Sequence, residues 1–289
     1  MYDYLKALVV DRFQIEKILK NPRLDFHTKV SMSTGELKVY PLEAVHSNWV
    51  IKILSPGYLL LTGSLHQYWN GGTNENDFTL KAVREAISRL YNELELDPTL
   101  ASIINLEFGV NLAPSFPVDF IFQDLLCYKN KLPNRPYQER KLNFQEFTHA
   151  ESYIKLYDKG RQLRKGNLLR IETKGIKARY FASADIYTLQ DLTKEKPMHI
   201  LSSKLLELTI DLVFKDSSIE VRCLPPSAQR NYLLMKDPNE WADAKGMKTS
   251  TNRKRETKFR ETVKQYGNRD LNNQLYSMME KKLQMLITA

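Results

Sequence analysis

Along the first 185 residues the apolar positions mostly alternate, and beyond them they recur at helical spacing. Residues 5–10 (LKALVV) read as a first strand. Residues 28–40 alternate around Thr34-Gly35, a hairpin signal, and residues 48–65 read as two strands joined at Ser55-Pro56-Gly57. After a loop over 70–76, Leu80, Val83, Ile87, Leu90 and Leu94 predict a helix over 79–95, with Asp77 as its N-cap. Residues 102–112 form a strand and Pro117 opens a helix over 118–130. A basic, proline-marked loop from Lys129 to Arg140 leads to strands over 152–159 and 167–174, separated by Gly160 and Gly166. Helices are then expected at 198–213, 227–235, 238–244, 250–265 and 269–286, with Pro225-Pro226 as a break. The fold class is α+β. An antiparallel sheet with helices on one face occupies 1–185, and a helical, basic C-terminal domain occupies 186–289.

Strand parity then sorts side chains onto faces. In 103–112, Ile104, Leu106, Phe108, Val110 and Leu112 share one face, and Asn105, Glu107, Gly109 and Asn111 the other. Tyr153, Lys155, Tyr157 and Lys159 share a face, as do Arg170, Glu172 and Lys174. In 59–66, Thr62, Ser64 and His66 oppose Leu59, Leu61 and Leu65. Any one such strand is explained by an ordinary half-solvated sheet. Together, the polar faces hold what phosphodiester chemistry requires. Glu107, Glu172 and His66 are a candidate ligand set for Mg²⁺ or Mn²⁺, which would polarise a scissile phosphate. Tyr157 is a candidate nucleophile, with Lys159 or Lys155 beside it to lower the phenol's pKa or stabilise developing charge. The plain alternative for the carboxylates is ion pairing, Glu107 with Arg170 and Glu172 with Lys174.

A formal net charge of +9 favours a polyanionic partner, nucleic acid being the commonest and an anionic membrane the rival. The candidate DNA contacts are Lys155, Arg161, Arg164, Lys165, Arg170 and Lys174 around the proposed site, and Arg253, Lys254 and Arg255 in the tail. Tyr68, Trp69 and Tyr153 are candidates for stacking bases. The segment 249–260 reads equally as a helix docking on duplex DNA and as a solvated helix packed through Phe259, Val263 and Tyr266. The two cysteines, Cys127 and Cys223, match no metal or redox spacing and suggest buried thiols in a reducing cytoplasm. The first ten residues lack the pattern of a signal peptide, and no apolar run is long enough to span a membrane. No Gly-x-x-x-x-Gly-Lys-Ser/Thr loop is present, so duplex unwinding would fall to a separate host helicase.

Over about residues 1–190 the sequence resembles the replication initiators of filamentous phages, the gene II protein family, and their relatives in other phages and plasmids. The resemblance is carried by Met1-Tyr2-Asp3, Gly63-Ser64-Leu65-His66, Ile104-Asn105-Leu106-Glu107-Phe108-Gly109, Tyr153-Ile154-Lys155-Leu156-Tyr157-Asp158-Lys159, Leu168-Leu169-Arg170-Ile171-Glu172 and Ala178-Arg179-Tyr180. It implies a nicking domain related to the HUH endonucleases. It puts the catalytic tyrosine at Tyr157, acidic positions at Glu107 and Glu172, and the family histidine at His66. Two departures stand out: there is no His-hydrophobic-His motif, and the central strand has Asn105 and Glu107 where phage members often have Arg and Asp. The implied activity is metal-dependent nicking and rejoining of single-stranded origin DNA through a covalent 5′-phosphotyrosine, which starts rolling-circle replication in a bacterial cytoplasm. Two alternatives remain open: a non-catalytic origin-binding protein on the same scaffold, and a metal-dependent hydrolase that uses water.

Overall fold

The computed structural model describes residues 1–31, 33–134, 143–242 and 249–289. Arg140 and part of the expected loop and of the expected 238–244 helix lie outside the described residues. Eight strands form one sheet: β1 (Tyr2–Val9), β2 (Leu42–His46), β3 (Trp49–Ser55), β4 (Tyr58–Ser64), β5 (Ala101–Leu112), β7 (Phe144–Thr148), β8 (Ser152–Asp158) and β9 (Leu169–Gly175). Their spatial order is β2-β3-β4-β1-β5-β9-β8-β7, and every neighbouring pair is antiparallel. The expected α+β class with an antiparallel sheet is therefore what the chain forms.

One face of the sheet is apolar, with Leu5, Leu61, Leu106, Phe108, Val110, Leu156 and Ile171 buried. The same core takes in α3 (Leu80–Leu94), α7 (Glu195–Asp211) and α11 (Leu271–Thr288). Thr79, not Asp77, caps α3, its side chain accepting from the Ala82 amide. Leu80, Val83, Ile87, Leu90 and Leu94 all face inward, as their spacing predicts. The core runs past residue 185, because Leu201, Leu205, Leu275, Met279 and Leu283 belong to it. A second core gathers around a two-stranded sheet of β6 (Leu125–Tyr128) and β10 (Leu212–Phe214). There α8 (Pro226–Met235), α9 (Pro238–Ala242) and α10 (Thr249–Tyr266) contribute Tyr232, Trp241 and Phe259. The Phe259 ring stacks on Tyr232 with centroids 5.4 Å apart.

Several expectations are corrected. Residues 12–19, for which no element was expected, form a helix, α1 (Arg12–Leu19), capped by the Asp11 carboxylate. Among the described residues of 28–40 the chain folds back at Thr34-Gly35 as expected, with Gly35 at φ +71°, but Val30 and Leu37 form an isolated bridge and not a ladder. The expected 118–130 helix stops after α4 (Asp119–Asp124) and turns into β6, because 125–128 (LLCY) is buried on every residue and pairs with β10. Three short helices were not anticipated, α2 (Leu65–Trp69) after β4, α5 (Lys159–Leu163) at the connection expected around Gly160 and Gly166, and α6 (Ala178–Ala182) after β9. Cys127 is buried as expected, and Cys223 is exposed.

Two irregularities at the β1–β5 seam change the faces. Ile103 pairs with Ala7 and Asn105 with Lys6, so Ile104 is an extra residue, and Ala101 and Ile103 take the buried positions expected of its parity. At the other end Tyr2 pairs with Phe108 and Leu5 with Leu106. Asp3 and Tyr4 together then oppose the single residue Glu107, a bulge that turns both toward the polar face.

Candidate active site

The polar face of β1, β5, β9 and β8 carries the site. Antiparallel register sets Glu107 opposite Lys174, Gly109 opposite Glu172, and Asn111 opposite Arg170. On the next strand Lys155 lies opposite Glu172 and Tyr157 opposite Arg170. Gly109 is needed there, since a Cβ would lie 2.4 Å from the Glu172 Cβ and 2.5 Å from the Ile171 carbonyl oxygen. The bulge adds Asp3. A cavity of about 320 Å³ results, lined among others by Asp3, Glu107, Lys155, Tyr157, Lys159 and Glu172.

Asp3, Glu107 and Glu172 present carboxylate oxygens that all lie within 4.8 Å of one another. Arg170 anchors two of them and has no exposed surface. Its Nη2 donates to Asp3 Oδ2 at 2.7 Å, its Nε to Glu172 Oε2 at 2.6 Å, and its Nη1 to Asn111 Oδ1 at 3.1 Å. Burial alone would raise the Asp3 pKa. Arg170, with hydrogen bonds from Ser64 and Asn74, outweighs it and holds the carboxyl below its ordinary value. Lys155 Nζ lies 3.3 Å from Glu107 Oε1 and 3.5 Å from Glu172 Oε1, and Lys174 Nζ lies 3.1 Å from Glu107 Oε1. The expected ion pairs are thus exchanged: Arg170 serves Glu172, and Lys174 serves Glu107. The donor set fits a hard divalent cation, being three carboxylates with no sulfur.

Tyr157 sits half-buried in this cavity, its ring 6.1 Å from that of Phe144. Burial, then the charge of Glu172, pushes its phenol pKa up. Lys159 opens α5 instead of ending the strand, yet its ammonium still reaches the cavity, 5.8 Å from the Tyr157 ring centroid. Burial, then Arg170, holds the Lys159 pKa below its ordinary value.

His66 is not brought into the carboxylate set. It lies on α2 (Leu65–Trp69), not on β4, because the Ser64 hydroxyl caps a helix there. It is fully buried and stacks on Phe78 at 4.8 Å. Its Nε2 lies 2.6 Å from Asn76 Oδ1, while Nδ1 is buried and has no hydrogen-bond partner among the described residues. Burial lowers its pKa to about 4. The sequence reading missed Asp3 and Asn74. Asn74 donates to Asp3 Oδ2 at 2.7 Å and accepts from Lys159 Nζ at 2.8 Å. Its loop is held by Asn111, whose Nδ2 donates to the carbonyls of Asn74 and Glu75 at 3.1 and 3.0 Å. A carboxylate in the opening residues was the available signal for Asp3; sequence spacing gave none for Asn74.

Of the expected DNA contacts, Arg170 is corrected: a fully buried guanidinium committed to two carboxylates has no surface to offer a phosphate. Lys155 lines the cavity, and Lys174 lies against Glu107 and the Tyr4 ring, each with about a fifth to a quarter of its side chain exposed. Arg161 pairs with Asp119 and Asp158, and Lys165 with Glu75. Arg164 is exposed just past α5, and Arg253 and Lys254 are exposed on α10, where Arg255 is half-buried. Tyr68 is corrected as a base-stacking residue: it is 2% exposed, donates to Glu93 at 2.6 Å and is covered by Arg89. Trp69 packs on the core and donates to Glu85.

Fold and site together define an α+β protein with a charged, tyrosine-bearing cavity on one sheet face. No family model matches the sequence, and no curated protein matches it. Among solved structures, the chain is similar to the rolling circle replication initiator protein from Geobacillus stearothermophilus, with 12% identity, 76% of this chain and 88% of that chain covered, and a TM-score of 0.44. Among the described residues no helix is long and apolar enough to cross a membrane.

Proposed function

We propose that this protein is a replication initiator that nicks and rejoins single-stranded origin DNA through Tyr157, acting in a bacterial cytoplasm with a separate host helicase. The observation that carries the reading is the convergence of Tyr157, Lys159 and three carboxylates on one cavity. The Tyr157 oxygen bonds to phosphorus as the phosphorus–O3′ bond breaks, leaving a 5′-phosphotyrosine and, after the departing oxygen takes a proton from water, a 3′-hydroxyl. Burial keeps the phenol protonated at neutral pH, so attack needs a proton acceptor. We assign that role to Lys159: its amine lies 5.8 Å from the Tyr157 ring centroid, and burial holds its pKa below the ordinary value, which favours the neutral form. Asn74 fixes Lys159 Nζ next to Asp3, accepting from the one and donating to the other. Asp3, Glu107 and Glu172 would hold Mg²⁺ or Mn²⁺, which when bound neutralises charge on the phosphate. Arg164, Lys165 and Arg161 at the cavity's edge would meet neighbouring phosphates, and Arg253, Lys254 and Arg255 duplex DNA.

The test is covalent capture. Labelled single-stranded DNA from the protein's own replicon is incubated with Mn²⁺, and with chelator, and run on a denaturing gel. A shifted band that disappears in Tyr157→Phe and with chelator is expected. Binding with neither band nor cut product would leave a non-catalytic origin-binding protein. Cutting unchanged in the variant would leave a hydrolase that uses water.

A further inference from the structure

The ammonium of Lys155 sits between two of the proposed metal ligands, 3.3 Å from Glu107 and 3.5 Å from Glu172. A cation already stands where a divalent ion would stand. Three carboxylates here face three close cations, Arg170, Lys155 and Lys174. Adding a divalent ion to that balance places like charges within a few ångströms of one another in a partly buried cavity, where their repulsion is only weakly screened. Some cation must therefore leave. Arg170 cannot, being fully buried and bound to both Asp3 and Glu172. Lys174 is steadied by the Tyr4 ring, 4.5 Å from its ammonium. Lys155 is long, and its side chain is 20% exposed. Glu146 lies directly opposite it on the edge strand β7. Among the described residues Glu146 makes no ion pair and is not one of the three clustered carboxylates, so it offers the displaced ammonium another partner on the neighbouring strand.

We propose that Lys155 is a tethered cation that occupies the divalent-ion position between Glu107 and Glu172 and yields it by swinging to Glu146. The inference rests on the reading of Asp3, Glu107 and Glu172 as ligands. In the resting protein Lys155 neutralises these carboxylates, and its displacement sets the affinity and selectivity for the ion. Lys155 is then the residue that makes metal uptake a competition.

The test is Mn²⁺ binding to the full chain without DNA, followed by calorimetry and by the loss of the free-ion electron paramagnetic resonance signal. Lys155→Met and Lys155→Gln should each bind Mn²⁺ at least about tenfold more tightly than the wild-type chain, since a competing charge is gone. Glu146→Gln should bind more weakly than wild type. Circular dichroism checks that each variant folds. Equal or weaker binding by folded Lys155→Met and Lys155→Gln overturns the proposal. Absence of binding in all the proteins contradicts the metal assignment as well. The nucleophile is read separately, as the Tyr157-dependent band on the gel.

Discussion

The same face of the same sheet behaves in two ways. On the β2-β3-β4 side its charges meet water: Lys52 pairs with Glu43 at 2.9 Å with 40% of the lysine side chain exposed, and Val45 and Leu54 lie open on neighbouring positions. On the β1-β5-β9-β8 side Arg170, Glu172, Asp3 and Glu107 are buried and joined in one network. The first half is an ordinary solvated sheet surface. The second pays a desolvation penalty that packed apolar residues would avoid. Burying charge at that cost, with an aromatic hydroxyl beside it, is the feature that supports the proposed reaction centre.

Substitutions can break this contrast, starting with the largest effect. Arg170→Met leaves Asp3 and Glu172 buried without their cation and should cost about 3–5 kcal/mol in a denaturant melt. Arg170→Lys should recover only part of it, because one ammonium cannot reproduce the forked geometry. Next is acid. His66 is neutral in the folded chain, with its pKa lowered from 6.5 to about 4. The unfolded chain binds the proton more readily in that interval, so stability is fully present above pH 6.5 and falls as pH drops toward 4. The loss is about 3 kcal/mol, and the pH dependence should flatten in a folded His66→Gln variant. Asn74→Ala should cost about 1 kcal/mol of stability while slowing covalent capture more than it weakens single-stranded DNA binding; equal losses would make Asn74 structural only. Smallest is Lys52→Ala, worth less than about 1 kcal/mol as an exposed pair. A Lys52 effect as large as that of Arg170 would erase the distinction between the halves.

Much of the site could be read from parity. Glu107, Glu172, Lys155 and Tyr157 share a face because β5, β9 and β8 keep a regular register between them. Parity failed where the register did. The bulge opposite Glu107 turns Asp3 off the face that Leu5, Ala7 and Val9 define. Ser64 ends β4 by capping a helix, so alternation no longer governs His66. Asn74 comes from a loop that reaches the site through tertiary hydrogen bonds, and no local pattern encodes those. The buried α3 face was legible from its spacing, whereas the short strands β6 and β10 were not, since a short apolar run suits a helix as well as a strand.

The central claim is that Tyr157 makes the covalent bond to DNA. The most direct measurement is mass spectrometry of the protein after reaction with single-stranded origin DNA, nuclease trimming and proteolysis. The account predicts a nucleotide adduct on the peptide containing Tyr157, localised to that residue and absent in Tyr157→Phe. An adduct on Tyr153 or another tyrosine, or cleaved DNA with no adduct at all, would contradict it.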